Sequence, residues 1–132
     1  NRKLLTFSAD GATNWTEPVF HPDLLEPICM ASIISHPAKP GTLLFCNPDV
    51  VARDKAGVEI PARKGKRENL TIKLSYDDGQ IWPVSKLLQS GQSAYSDLAV
   101  LPDGTILCLY EGGDKLTLAR FDLDWVEAPA KP

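Results

Sequence analysis

An eight-residue pattern occurs twice in this chain and restricts its fold more than any other feature. Ser8-Ala9-Asp10-Gly11-Ala12-Thr13-Asn14-Trp15 matches Ser75-Tyr76-Asp77-Asp78-Gly79-Gln80-Ile81-Trp82, and both fit S-x-D-x-(G/A)-x-x-W. The Asp side chain can accept hydrogen bonds from backbone N–H groups of a turn, and glycine permits a positive φ there. The Trp can fold back onto an apolar sheet edge. The pattern therefore predicts two equivalent turns in a repeated β unit.

A second repeat supports this interpretation. The segment from Ile34 to Cys46 is similar to that from Ala99 to Leu109, and each reads as two apolar strands joined by a turn that contains proline and glycine. The order of hairpin, third strand, turn and fourth strand is typical of a β-propeller built from four-stranded blades. The predicted strands are Lys3–Ser8, Thr16–Phe20, Cys29–Ser35, Thr42–Asn47, Leu70–Ser75, Val84–Leu87, Ser96–Leu101, Thr105–Tyr110 and Lys115–Leu123.

The two turns lie 67 residues apart, which is longer than the roughly 40–50 residues of an ordinary blade. The excess falls in a polar stretch, about 48–66, which we interpret as a loop insertion. The predicted fold class is all-β, part of a propeller. The chain would contribute about two to three antiparallel blades, and the whole of 1–132 would belong to that one domain. Eleven prolines and nine glycines leave no room for a long helix.

Charge and composition exclude several classes of partner. The formal net charge is −3 and the pI is near 5.3, which argues against a nucleic-acid binder. No apolar run is long enough to span a bilayer. Cys29, Cys46 and Cys108 lack metal-ligand spacing and lie in apolar runs, so we expect buried thiols, with a disulfide as the alternative. We expect neither a metal nor another cofactor.

Three segments contain the candidate site residues. Arg67 opens R-E-N-L-T and leads into the second turn, Tyr95 lies in A-Y-S-D-L, and Glu111 ends L-Y-E sixteen residues later. Each residue has a plainer alternative. Tyr95 could be an ordinary sheet aromatic, Glu111 could be a surface carboxylate at a strand end, and Arg67 could belong to a solvated basic loop with Arg63.

These segments, in this order and with the two turns, resemble the C-terminal portion of exo-acting sialidases (neuraminidases). In that family S-x-D-x-G-x-x-W is the Asp box, or BNR repeat. The resemblance implies a six-bladed propeller and a sialylated glycan as substrate. It implies that Tyr95 is the catalytic tyrosine, that Arg67 is the third of three arginines holding the sialic acid carboxylate, and that Glu111 positions the first of them. Ala12 departs from the family pattern, which has glycine there.

The resemblance also implies that other parts of the family's site lie upstream of Asn1. These are two arginines, the Asp acid/base and the Glu that deprotonates the tyrosine. We expect Arg2 not to be one of those arginines, since it precedes the first turn too closely. The isolated chain is then not competent for turnover and needs the remainder of the propeller. A non-catalytic fragment for carbohydrate binding or protein interaction is the alternative function, and a secreted or periplasmic location suits the substrate class.

Overall fold

A computed structural model describes residues 1–129 and shows a fold made almost wholly of strands. Within these residues lie eight strands and one short helix. They are β1 (Arg2–Leu5), β2 (Val19–Leu25), β3 (Ser32–Ser35), β4 (Leu43–Pro48), β5 (Glu68–Ser75), β6 (Val84–Val100), β7 (Ile106–Gly112), β8 (Lys115–Phe121) and α1 (Leu123–Glu127). The predicted all-β class is confirmed.

The strands form two antiparallel sheets that follow the order of the sequence. One contains β1 and β2, and the other has the order β3-β4-β5-β6-β7-β8. Strand β6 has 17 residues and belongs to two pairings in succession: Val84 to Gln92 pairs with β5, and Ser93 to Val100 pairs with β7. It therefore ends one four-stranded sheet and begins the next, which is how consecutive propeller blades connect.

The sequence predicted two separate strands where β6 runs continuously. The polar residues between Leu88 and Tyr95 lack the apolar alternation that would have revealed a strand. Pairing with β5 and β7 on either side keeps this stretch extended, with irregular register between Ser93 and Ser96. The prediction of a break in the strand was therefore wrong, because tertiary pairing determines the structure here.

The last predicted strand is shorter than expected. It was predicted to reach Leu123, but β8 ends at Phe121, and the Asp122 side chain caps α1 by accepting a hydrogen bond from the Trp125 backbone N–H at 2.8 Å. Leu123 and Val126 of this short helix are buried in the main core. An N-cap residue within an apolar run thus redirects the chain back over the sheet.

The main core lies between the sheet faces and draws on both halves of the six-stranded sheet. Cys46 of β4 and Cys108 of β7 are fully buried there, with their Sγ atoms 3.8 Å apart. All three cysteines are free and buried, so the expectation of buried thiols is confirmed. The other buried members are Leu44, Leu70, Ile72, Leu74, Leu98, Ile106, Tyr110, Leu123 and Val126.

The two repeated turns occupy equivalent positions, and in each of them the Asp carboxylate accepts hydrogen bonds from backbone N–H groups of the turn. The first (residues 8–15) joins β1 to β2 and the second (residues 75–82) joins β5 to β6. Asp10 Oδ1 accepts from the N–H groups of Ala12 and Thr13 at 2.9 and 2.8 Å. Asp77 Oδ1 accepts from those of Gln80 and Ile81, both at 3.0 Å. These aspartates have a structural task, as the pattern predicts.

The turns differ in how their tryptophans are packed. Trp82 is 6% exposed and packs with Leu24 and Phe45, its ring 5.8 Å from that of Phe45 in an edge-to-face arrangement. Trp15, at the corresponding position of the first turn, is 54% exposed. Each indole N–H donates to a carbonyl of its own turn, that of Gly79 at 3.2 Å or that of Ala12 at 3.3 Å. The indole hydrogen bond within the turn is thus the same in both turns, but only Trp82 also covers a hydrophobic core.

Candidate functional site

Strand direction places the candidate residues at the end of the sheet opposite the second turn. Arg67 precedes the first residue of β5, whereas the turn follows its last residue, Ser75. Eight strand residues at about 3.3 Å each separate the two ends by roughly 25 Å. Because β6 and β7 run antiparallel, Tyr95 and Glu111 also lie at the Arg67 end. Arg67, Tyr95 and Glu111 thus share one end of the molecule.

Arg67 and Tyr95 are in direct contact. The guanidinium carbon lies 4.9 Å from the centre of the Tyr95 ring, which is cation–π geometry. Arg67 Nη2 donates to the carbonyl of Ile28 at 2.8 Å, while its Nε is buried without a hydrogen-bond partner among residues 1–129. The Tyr95 side chain, which the guanidinium contacts, raises the pKa of Arg67, so the cation persists. Arg67 therefore keeps unused donors for an anion, and it is not part of a freely solvated loop.

Glu111, on β7, contacts the backbone of Tyr95 on the neighbouring strand β6. Its Oε2 accepts from the Tyr95 N–H at 3.4 Å, at the long end of the hydrogen-bond range. Tyr95 itself is 42% exposed, which distinguishes it from an ordinary aromatic buried in a sheet. The sequence-predicted residues are thus neighbours, with Tyr95 between a guanidinium and a carboxylate.

The backbone is irregular at three points around this contact. Ile28 has a φ of 64°, a value that β-branched residues rarely adopt. Asn69, two residues after Arg67, has a φ of 61° and lies at a register shift in β5. Another shift lies between Ser93 and Ser96, where Tyr95 is found. Such irregularities cost about 1–3 kcal/mol each at strained positions and gather at functional sites, and here they adjoin Arg67 and Tyr95.

The turn that contains Ile28 was missed by the sequence interpretation, which began a strand at Cys29. Glu26 Oε1 accepts from the Cys29 N–H at 2.8 Å. Lys3 forms an ion pair with Glu26 and donates to the Cys29 carbonyl at 2.8 Å. Strand β3 begins only at Ser32. The apolar run around Ile28 resembled a strand, and only the contact with Arg67 shows that its carbonyl belongs to the site.

Three cavities adjoin at this end, and a fourth, of about 630 Å³, shares Lys64, Lys66 and Glu68 with one of them. The smallest, about 490 Å³, is lined by Arg67 and Tyr95 together with the turn from Glu26 to Met30. A cavity of about 830 Å³ is lined by Arg67, Glu111 and several lysines. Arg67 lines both, so the candidate residues are divided between two cavities and do not line a single pocket. Residues 1–129 contain no group of three or more His, Cys, Asp or Glu side chains arranged to hold a metal ion.

Arg2, which the sequence interpretation set aside, lines the third cavity. That cavity measures about 640 Å³ and shares Glu26 and Ile28 with the one that contains Tyr95. Arg2 Nη1 contacts Glu59 Oε1 at 2.6 Å. A second guanidinium, that of Arg2, therefore lies beside the Glu26–Met30 turn. The sequence interpretation considered only how closely Arg2 precedes the first turn, and that spacing did not indicate this location.

The turn carboxylates are unsuited to acid catalysis. Hydrogen bonds from Thr13 lower the pKa of Asp10 well below its usual range, and those from Ile81 lower the pKa of Asp77. Both groups therefore stay ionised near neutral pH. Their position at the far end of the sheet separates them from Tyr95, so the two-carboxylate arrangement of ordinary glycosidases is not formed by these residues.

The fold and this group of side chains define a class: a β-propeller segment with an Arg–Tyr–Glu cluster at the strand ends opposite its hydrogen-bonded turns. No protein-family model matches the chain. It is 36% identical to a sialidase of Micromonospora viridifaciens over 137 aligned positions, covering 98% of this chain and 19% of that protein. A sialidase of Bacteroides fragilis (strain YCH46) is 34% identical, with 83% of this chain and 19% of that protein covered.

A solved structure gives the same result. The Hadza microbial sialidase Hz136 superposes with a TM-score of 0.70 at 35% identity, over 92% of this chain and 23% of that one. The chain is therefore similar over nearly its whole length to a segment of sialidases, and the resemblance predicted from its sequence is confirmed. It spans about a fifth of the length of the curated relatives it matches.

Proposed function

We propose that this chain supplies part of the active site of an exo-α-sialidase, a glycoside hydrolase that releases terminal sialic acid from glycans. The observation that carries the proposal is the contact between Arg67 and Tyr95, with Glu111 of the neighbouring strand β7 accepting from the Tyr95 N–H. It combines a group that binds carboxylates with a neutral nucleophile at one exposed end of the sheet. The family relatives support the same class of reaction.

The chemistry of sialic acid accounts for a tyrosine in this position. The sugar has its carboxylate on the anomeric carbon, so an anionic Asp or Glu nucleophile would approach against a like charge. A phenol is neutral until a base removes its proton, and sialidases are known exceptions to the two-carboxylate scheme for this reason. In the proposed retaining mechanism, the Tyr95 oxygen attacks the anomeric carbon, the aglycone leaves, and water then releases the sugar from the tyrosyl-glycoside.

Arg67 would bind the substrate carboxylate. A guanidinium is permanently charged and can hold a carboxylate through two parallel hydrogen bonds. Its single hydrogen bond to the Ile28 carbonyl fixes the side chain and leaves other donors available. Glu111 would act as a positioning residue, since its carboxylate can hold an arginine of the complete site while it accepts from the Tyr95 N–H.

The chain would supply this site only in part. The base for Tyr95, the acid for the leaving group and further arginines would come from the remainder of a six-bladed propeller. Apolar side chains are exposed on both outer strand pairs, where neighbouring blades would pack: Leu4, Val19 and Phe20 on β1 and β2, and Leu116 and Leu118 on β8. We therefore propose that the chain alone does not turn over a sialoside.

The test uses an aryl sialoside and a protein in which this chain completes a propeller. Tyr95→Phe should remove most turnover and leave binding of a sialic acid analogue within about twofold, because the hydroxyl acts on the bond-making step. Tyr76→Phe, at an exposed tyrosine near the opposite end, is the matched control and should retain turnover. Full activity in Tyr95→Phe would contradict the nucleophile, and robust turnover by residues 1–132 alone would contradict the partial site.

The alternative is a propeller segment that binds carbohydrate or protein without catalysis. It shares Arg67 and the exposed Tyr95 with the first proposal but needs no nucleophile. Sialoside binding without turnover in the completed propeller, with a Tyr95→Phe variant that behaves like wild type, would favour it.

A further inference from the structure

The cavity of about 830 Å³ is lined by three lysines that have no role in the proposed reaction. Lys64 and Lys66 line it on one flank and Lys115 lines it beyond the β7–β8 turn. Together with Arg67 they outnumber the three carboxylates of the lining, those of Glu68, Glu111 and Asp114. The cavity wall thus has a positive balance in a chain whose formal net charge is −3.

The residue between the two lysines is packed closely against its neighbours. Gly65 is buried, whereas Lys64 and Lys66 are exposed. A Cβ at Gly65 would lie 3.2 Å from the Ala52 backbone nitrogen and 3.3 Å from the Cβ of Pro27. Such a close approach admits only glycine without rearrangement of the backbone. Gly65 therefore holds this segment close to its neighbours, between the two lysines that line the cavity.

These lysines have no counter-ion in the part of the chain that the structure describes. The ion pairs within residues 1–129 involve Arg2, Lys3, Lys73 and the amino terminus, and none involves Lys64, Lys66 or Lys115. Exposed lysines are often simply solvated. Here, however, two lysines without an ion pair line a cavity that Arg67 also lines, so an anion bound in it would lie near both of them.

We propose that Lys64 and Lys66 bind a second anionic group of the glycan, on the sugar next to the sialic acid held by Arg67 and Tyr95. The inference rests on the proposed function and extends it from terminal sialic acid to glycans with two negative charges. A volume of about 830 Å³ lies within the range of small-ligand pockets and leaves room for a further sugar. The second group is a carboxylate or a sulfate, because both offer oxygen acceptors to ammonium groups.

The experiment measures binding by NMR titration of the 132-residue chain with three probes. The first is 3′-sialyllactose, whose inner sugars are neutral. The others are an α2,8-linked sialic acid dimer, with a second carboxylate, and a sialyl-N-acetyllactosamine that bears a 6-sulfate. We expect wild type to prefer at least one doubly charged probe by about five- to tenfold at low salt, and the preference should shrink at 0.5 M salt because exposed charges are screened.

The double variant K64Q/K66Q should lose this preference and keep its affinity for 3′-sialyllactose within about twofold. K39Q, at an exposed lysine in the β3–β4 turn at the other end of the sheet, should change neither. A preference for the dimer alone identifies a carboxylate as the second group, one for the sulfated probe alone identifies a sulfate, and one for both shows that charge suffices.

Two results would overturn the inference while the proposed function stands: no preference in wild type, or an equal loss for all three probes in K64Q/K66Q. The latter would mean that the lysines hold the terminal sugar itself. The proposed function fails separately if Arg67→Ala binds 3′-sialyllactose as wild type does. Absence of binding by any probe to wild type also overturns the inference, and the proposed function then depends on the turnover test in the completed propeller.

Discussion

The guanidinium carbon of Arg67 lies 4.9 Å from the ring centre of Tyr95, although the two residues are 28 positions apart in the sequence. The contact forms because the start of β5 and the start of the second half of β6 meet at the same sheet end, each beside a register shift. An exposed cation–π contact is worth only about 0.5–1 kcal/mol. Its importance is that it orients both side chains before a ligand arrives.

Replacement of Arg67 should weaken ligand binding more than it weakens the fold. Loss of a bidentate, charge-assisted contact is worth on the order of 2–3 kcal/mol, so Arg67→Ala should reduce affinity for N-acetylneuraminic acid by roughly thirty- to a hundredfold. The matched control is Arg53→Ala, which also removes an arginine that donates to a carbonyl, that of Gly57 at 2.9 Å. NMR titration gives both affinities, and equal losses in the two variants would contradict a specific role for Arg67.

The two repeated tryptophans should differ sharply in their contribution to stability. Trp82 is packed against Phe45 and Leu24, so Trp82→Ala should lower the free energy of unfolding by about 3–5 kcal/mol. Trp15 is mostly exposed, so Trp15→Ala should cost less than about 1 kcal/mol. Urea denaturation followed by circular dichroism measures both. Equal costs would show that the indole acts mainly within its own turn.

The fifth position of the turn pattern is Ala12 in the first turn and Gly79 in the second. Replacing either residue by the other type should destabilise the fold. Gly79 has a φ of 93°, and a Cβ there would lie 3.2 Å from Leu43 Cδ1, so Gly79→Ala should cost more than about 1 kcal/mol. Ala12 does not adopt a positive φ, and the first turn has its positive φ values at Gly11 and Asn14 instead. Ala12→Gly should therefore cost about 0.5–1 kcal/mol through chain entropy. A stabilising Ala12→Gly, measured by urea denaturation, would mean that the first turn is strained.

Glu59 should make the stability of the chain depend on acid pH. Its hydrogen bonds, chiefly from Arg2, lower the pKa of its carboxyl to about 2. Because the folded-state pKa lies below that of the unfolded chain, the contribution is fully present above about pH 4.5 and is lost as pH falls through about 2. The urea midpoints of wild type and Glu59→Gln should therefore differ at pH 6 and converge toward pH 2.5.

The matched control for this measurement is Glu17→Gln, at an exposed carboxylate between the first turn and β2. Its midpoint should follow that of wild type across the whole range. An offset between Glu59→Gln and wild type that stays constant from pH 6 to pH 2.5 would mean that the pair with Arg2 does not titrate in this window.

Features fixed by short stretches of sequence could be predicted. Each aspartate of the turn pattern accepts from N–H groups two to four positions away, so the pattern alone identified both turns. Alternating apolar residues likewise located β4, β5 and β7 to within a few residues. The shared location of Tyr95 and Glu111 followed from hairpin pairing, since Ser96 and Tyr110 face each other across β6 and β7.

Features fixed by distant contacts could not be predicted. Ile28 reaches its positive φ in a turn held by Glu26 and Lys3, and its carbonyl accepts from an arginine 39 residues later. The place of Arg2 beside the same turn depends on how β1 pairs with β2. Neither leaves a periodic signal in the sequence, because backbone strain and cavity walls result from packing between elements.

An insertion or deletion of one residue should be tolerated far less well in strand β6 than in the segment between β4 and β5. Its side chains alternate between faces, so the gain or loss of one residue near Ser90 would invert every orientation from Ser93 onward, and Tyr95 would point away from Arg67. The segment between β4 and β5 has only an isolated bridge between Arg53 and Glu59 and could lengthen without such an effect. Among homologous chains, gaps should therefore accumulate between β4 and β5 and be nearly absent from β6.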